Sequence, residues 1–446
     1  MRRRDLLAGA ALAPFAAVPE KGERPFQDAS VRVLNPRGRA PLTFIIDDST
    51  CLVNLAHFCI PQLAEVYPDR YLQDWRKLPR EIPDSFVRKF MEWCRGAGIK
   101  GKYSIVPYPC TVGWIDREMP GWTRSELQAS LKLVRDFVAR DWDIHPEMVT
   151  HTWGIDTRTG RPYPGRTERN MENTGFSVGR SVDFLADYIS YALRLLKNAG
   201  LPCEGVTTPG GFGTQVRPQL SQATLQGCRD IYSVDVAHYF RDVYTDSRSV
   251  APRVEYASGL DGDDPRCCVH IIGCTGDWTG NWDGLGDIAV DRFITPDLKG
   301  GRLPEVIARG EPAALVCHWA GIYYNGEERG FAAFREVVRR LNLAYDNLIW
   351  MKTGEIARYW AAKECTRIER ANNAVRLRAP FAAASFTIEI GAPPGAVPRL
   401  SLAGRLEPLE EVRDALRLEP GRWMRSEHGI VVCFDLPKGA AEITVS

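Results

Sequence analysis

The chain has 446 residues, 44% of them hydrophobic and 25% charged, the profile of a folded protein with a sizeable core. Its 57 Lys and Arg stand against 56 Asp and Glu, and a net charge of +1 excludes the basic surface of a nucleic-acid binder. Collagen, coiled-coil and largely disordered chains are excluded by the same composition.

In chain order the first signal is Arg2-Arg3-Arg4-Asp5-Leu6-Leu7, followed by small apolar residues as far as Ala16-Ala17-Val18. A basic head, a short apolar stretch and small residues at its exit read as a leader over residues 1–20, with Arg3-Arg4 of the twin-arginine type. About a dozen apolar residues are too few to cross ~30 Å of hydrocarbon. A cut near residue 18 leaves a net charge of −1, because residues 1–18 hold three Arg and one Asp. The remainder is expected to be soluble and exported, periplasmic or extracellular in a bacterium, with no stable membrane insertion. No Cys-x-x-Cys occurs among the 12 cysteines, so zinc-ribbon and thioredoxin motifs are absent. Cys317 and Cys433 lie in apolar runs and read as buried thiols.

From residue 41 onward, β-rich runs alternate with helical patterns. A strand over 42–46 ends in Asp47-Asp48, a helix is expected over 83–96 and a strand over 102–107. Thr123 and Glu126 form a capping box ahead of Leu127, Leu131, Val134, Phe137 and Val138, which recur on one helical face. Strands are then expected over 148–152, 205–208, 232–236, 269–274, 313–316 and 348–351, with helices over 182–198, 217–231 and 328–341 and one through Trp360. This order implies a parallel sheet flanked by helices, and its number of units fits a (β/α) barrel over residues 21–365 better than an open sheet. Beyond residue 366 the short alternating runs and Gly-Pro punctuation read as a small β-sandwich over 366–446.

In parallel α/β folds functional groups stand at the carboxyl ends of strands. That rule selects Asp47-Asp48, His151-Thr152, Pro209-Gly210-Gly211 and His318-Trp319. Carboxylates and imidazoles converging there suit a divalent metal ion such as zinc, with a spare carboxylate as base. Asp277 and Trp278 follow the strand ending at Cys274, and Trp319 and Tyr323 follow His318. Together with Pro209 and Gly210 they are candidates to bind substrate, since aromatic rings stack on sugars and carboxylates accept from hydroxyls. His57, His238 and His270 read as structural.

The constellation resembles the polysaccharide deacetylases, metal-dependent carbohydrate esterases related to chitooligosaccharide deacetylase. Thr43-Phe44-Ile45-Ile46-Asp47-Asp48 matches their first motif, His151-Thr152 half of their second, and Ala314-Leu315-Val316-Cys317-His318 their last. The resemblance covers roughly residues 40–360 and implies a distorted (β/α)7 barrel. It also implies Asp47 as base, Asp48 and His151 as metal ligands and His318 as the acid that protonates the leaving group, acting on an acylated carbohydrate or polysaccharide. Two departures stand out. The second metal histidine should lie four residues after His151, where Ile155 stands; Asp156 is the nearest replacement, with His145 expected at the opposite end of the barrel. The arginine that orients the base is replaced in Thr207-Thr208-Pro209. Rival readings are a barrel that binds glycans without turnover and a glycoside hydrolase pairing Asp47 or Asp48 with Asp277.

Overall fold

The computed structural model describes residues 21–446, so the leader lies outside the described residues. Strand β1 (Ala40–Asp47) is buried along its whole length, as a strand covered on both faces must be. Helices α1 (Leu55–Ala64) and α2 (Asp84–Gly96) precede β2 (Gly101–Ile105). Helix α3 (Arg124–Leu133) carries the expected capping box: Glu126 N donates to Thr123 Oγ1 at 3.2 Å and Thr123 N to the Glu126 carboxylate at 2.7 Å. Such a cap stabilises a helix by about 1 kcal/mol. Next come β3 (Trp142–Pro146), α4 (Val182–Asn198), β4 (Gly205–Thr207), α5 (Arg217–Tyr232) and β5 (Val236–Val243). Strands β6 (Arg253–Ser258), β7 (Arg266–Gly273) and β8 (Ala313–His318) follow, then α6 (Arg329–Ala344), β9 (Leu348–Trp350) and α7 (Thr353–Cys365).

These strands make a mixed α/β architecture. One sheet has the parallel order β8-β1-β2-β3, with β9 also on β1; the other runs β4-β5-β7 in parallel, with β6 antiparallel on β7. The expected (β/α)7 barrel is therefore not a closed, continuously hydrogen-bonded ring. Its circular strand order can be traced, but two seams interrupt it. Between β3 and β4 the ladder is reduced to the bridge Glu147–Thr207 and the bond from Met148 N to Thr207 O at 3.2 Å, because the chain turns left-handed at Met148 (φ 46°). Between β7 and β8, Cys274 N reaches Ala314 O at 2.8 Å, while Val316 N donates to the Thr275 hydroxyl rather than to a carbonyl.

Past residue 366, the strands β10 (Arg367–Ala371), β11 (Ala374–Ala379), β12 (Ala383–Ile390), β13 (Pro398–Leu402), β14 (Arg405–Glu407), β15 (Arg422–Ser426), β16 (Gly429–Leu436) and β17 (Gly439–Val445) form two sheets. Residues of both, among them Leu377, Ile443, Phe386 and Val432, share one apolar core. One sheet is completed by Val31–Val33, which pairs antiparallel with β12. Before β1, Val31–Val33 thus belongs by pairing to the C-terminal sheets, whereas Lys21–Gly22 pairs in parallel with Tyr256 and Ala257 of β6. Helix α7 joins the regions: its Tyr359 hydroxyl donates to Leu34 O at 2.7 Å and accepts from Thr387 N at 3.2 Å. All 12 cysteines are buried and free.

Candidate metal centre and acid-base groups

Strand β1 ends by delivering two adjacent carboxylates in different directions. Asp47 is the last residue of the strand, and Asp48 has left-handed backbone (φ 57°), a conformation that aspartate tolerates better than most residues. In the parallel register Asp47 lies beside His318 on β8, and Ile45 lies beside Lys102 on β2. Lys102 is fully buried; its ammonium contacts the Asp47 Oδ1 and donates to Ser104 Oγ at 2.7 Å and to Ile46 O at 3.2 Å. A buried cation on β2 thus stands beside Asp47, while Thr207-Thr208-Pro209 carries none.

Asp48, Glu147 and His151 are all buried and bring one ligand-type atom each within 4.8 Å of one another. His151 Nε2 lies 2.7 Å from Asp48 Oδ1 and 3.7 Å from Glu147 Oε1. Yet Asp48 Oδ1 has no hydrogen-bond partner of acceptable geometry among the described residues. Lone pairs that converge on a point, rather than on each other, are what a cation requires, so these residues fit a divalent ion. Asp48 N donates to Glu147 Oε2 at 2.8 Å, fixing the glutamate. Glu147 was not singled out from sequence because the strand was expected over 148–152. The strand is instead β3, which puts Glu147 at its carboxyl end and His151 in the loop beyond. The signal was present: Glu147 stands four residues before His151, the sought spacing in the opposite direction.

Asp156 is not part of this group. It sits on the small hairpin formed by Ile155–Asp156 and Arg161–Pro162, and its Oδ1 accepts from Arg158 N at 2.9 Å. His145 lies inside β3, with Nε2 at 2.8 Å from His238 Nε2, away from Asp48 in the fold.

The loop carrying His151 is held by a second residue absent from the sequence reading. Glu172 is fully buried, and its carboxylate accepts from His151 N at 2.6 Å, Thr150 N at 3.0 Å and Val149 N at 3.2 Å, and from the Tyr188 hydroxyl. This fourfold anchor maintains left-handed backbone at His151 (φ 67°), which aims the ring at Asp48. The other ring nitrogen, Nδ1, lies 3.8 Å from Cys59 Sγ.

His318 completes the arrangement. Its Nδ1 lies 2.8 Å from Asp277 Oδ2, which also accepts from His318 N at 3.1 Å. The other Asp277 oxygen accepts from Thr279 N at 3.0 Å and Thr279 Oγ1 at 2.7 Å. Asp277 is therefore engaged in holding His318, not free to bind a substrate hydroxyl. Trp278 and Trp319 also depart from expectation. Trp319 is 1% exposed among Phe86, Phe90 and Tyr103, and Trp278 meets Phe293 edge-to-face beneath Arg292. Trp319 opens the short helix Trp319–Tyr323, and both tryptophans are buried. Tyr323 is half-buried against Phe86. Pro209 and Gly210 follow β4, and a side chain at Gly210 (φ 42°) would meet Asn173 O at 2.5 Å.

Electrostatics set the protonation of the group. Burial, reinforced by the Asp47 and Asp48 carboxylates, pushes Glu147 up to about 8. Burial also opposes charge on Asp48, but the His151 and His318 rings prevail and hold it below the usual carboxylate range. For His318, burial disfavours the cation, while Asp48 and Asp277 outweigh it and raise the ring to about 10. His151 is likewise held well above its usual value against burial, by Asp48.

No family model and no curated protein matches the chain. Among solved structures it is similar to one described as Puue allantoinase, with a TM-score of 0.37 and 12% identity over 78% of this chain and 96% of that one.

Proposed function

We propose that the chain is a metal-dependent hydrolase that removes an acyl group, acetyl in the first instance, from an amide or ester of a carbohydrate, in the manner of the polysaccharide deacetylases its motifs resemble. The observation that carries this reading is the in-register neighbourhood of Asp47 and His318 beside the buried group of Asp48, Glu147 and His151. A bound divalent ion, zinc in the first instance, supplies Lewis acidity, lowering the pKa of water and polarising the substrate carbonyl.

The chain's own groups divide the proton work. Lys102 and Ser104 engage Asp47 Oδ1, leaving Oδ2 to take the proton from water. His318 commits Nδ1 to Asp277, so the proton that the leaving amine or alkoxide needs is held at Nε2. Lys102 and Glu147 stand where the departures from the family motifs had motivated a binding-only reading. The engagement of both Asp277 oxygens argues against the glycoside-hydrolase pair. The basic leader is the ground for proposing export and a glycan substrate outside the cytoplasm.

The test is acetate release from a panel of acetylated glycans by zinc-, cobalt- and nickel-loaded protein. Metal-dependent release that Asp47→Asn abolishes while metal content holds is the expected result. Full activity in Asp47→Asn, or shortened sugars without acetate, would overturn the assignment.

A further inference from the structure

A second set of ligand-type side chains lies deeper in the fold. Asp143 and His145 alternate along β3, facing Lys102 and Ser104 in the parallel register with β2, and His238 reaches them from β5. Asp143, His145 and His238 bring one ligand-type atom each within 4.8 Å of one another. Both rings are fully or almost fully buried, at 0% and 1% exposed.

We propose that these residues form a structural site for a divalent transition-metal ion, zinc in the first instance, that staples the seam between β3 and β4. Three observations support it. The two imidazoles face each other through Nε2 atoms 2.8 Å apart. Two ligands at the usual zinc–nitrogen distance and a tetrahedral angle lie about 3.3 Å apart, so the rings need separate by only about half an ångström. Thr207 Oγ1 lies 3.3 Å from His145 Nδ1, and in the tautomer with a proton on Nδ1 it accepts a hydrogen bond there, leaving the Nε2 lone pair free to ligate. Space around His238 is cleared by two glycines. A side chain at Gly205 would meet His238 Nε2 at 2.6 Å, and one at Gly354 would sit 3.1 Å from Asp143 Oδ2 and 3.3 Å from His238 Cε1.

Asp143 is prepared for this role as well. Its Oδ2 accepts from Thr353 Oγ1 at 2.8 Å and Gly354 N at 2.5 Å at the start of α7, and Oδ1 accepts no hydrogen bond among the described residues. A cation held by Asp143 Oδ1 and the two Nε2 atoms, with water in the fourth position, ties β3, β5 and the start of α7. It does so across the seam where the ladder is reduced to the Glu147–Thr207 bridge.

Zinc titration of the chelator-stripped full-length chain tests the proposal independently of catalysis. Wild type is expected to bind two equivalents, and Asp48→Asn/His151→Asn one, with two imidazole ligands by X-ray absorption and a raised Tm. Adding His145→Gln is expected to remove that equivalent. Should the triple variant not fold, the absorption spectrum of the double variant decides the ligands. Less than a tenth of an equivalent in the double variant, or a zinc shell without two imidazoles, overturns the site. One equivalent in wild type that Asp48→Asn/His151→Asn abolishes removes only this second site; one that this variant retains and His145→Gln abolishes removes only the catalytic metal.

Discussion

The pair formed by Lys102 and Asp47 offers the sharpest test of how the site is held. Lys102 is 0% exposed and its ammonium is satisfied by Asp47, Ser104 and Ile46 O, in a setting where Phe240 lies 5.4 Å away. Lys102→Met removes the cation but leaves a buried carboxylate, and breaking a buried pair in this way costs about 3–5 kcal/mol. Asp47→Asn leaves the ammonium with a neutral acceptor, a loss of about 1–3 kcal/mol. Removing both charges leaves neither uncompensated, so the double variant should be more stable than the sum of the singles predicts by about 2–3 kcal/mol. Urea unfolding of the four proteins, fitted with a common slope, measures this coupling directly. Metal content should be the same in all four, since neither residue belongs to the ligand group. Additivity within about 0.5 kcal/mol would refute the reasoning, because it would mean that the two charges do not compensate each other.

Two further outcomes follow from the same structure. Glu172→Gln keeps the shape of the anchor but removes the charge that three backbone N–H groups share; it should lower stability by about 2–3 kcal/mol and weaken zinc binding about 10–100-fold. Unchanged affinity by competition with a chelating dye would contradict the role given to that carboxylate. In the metal-stripped chain, burial depresses His238 to about 4 and His145 further below its usual value, so the unfolded chain takes up these protons first as pH falls. Stability is therefore fully present above the unfolded value near 6.5 and is lost towards pH 4, by up to about 3 kcal/mol from His238 alone. His238→Gln should flatten that part of the profile, and urea midpoints equal in slope for both proteins between pH 7 and 4.5 would count against it.

How much of this was readable in advance depended on how local each signal was. The capping box at Thr123 is closed within four residues, and the apolar runs that end in Asp47 and His318 announce buried parallel strands directly. Glu147 was hidden because β3 reads Trp-Asp-Ile-His-Pro, with polar side chains on the face that an interior strand usually keeps apolar. The apolar run beginning at Met148 imitated a strand and displaced the strand end. Lys102 was hidden by the same inward polar face. Glu172 lies 21 residues beyond His151 in irregular chain, and only the fold brings them together. The burial of Trp278 and Trp319 was not readable from their neighbourhood to Asp277 and His318, because it is set by packing against distant residues such as Phe293 and Phe86.

The pairing of Val31–Val33 with β12 also sets an order of assembly. The partners, Val31 to Val33 and Ile388 to Ile390, lie about 350 residues apart, a separation whose closure entropy must be met before the contact rewards it. At ordinary synthesis rates the first of these strands waits about 20–70 s for the second to emerge. Until then Val31–Val33 has no partner strand, although Lys21–Gly22 can already pair with β6. Docking of Val31–Val33 is thus timed by the last domain made rather than by the first.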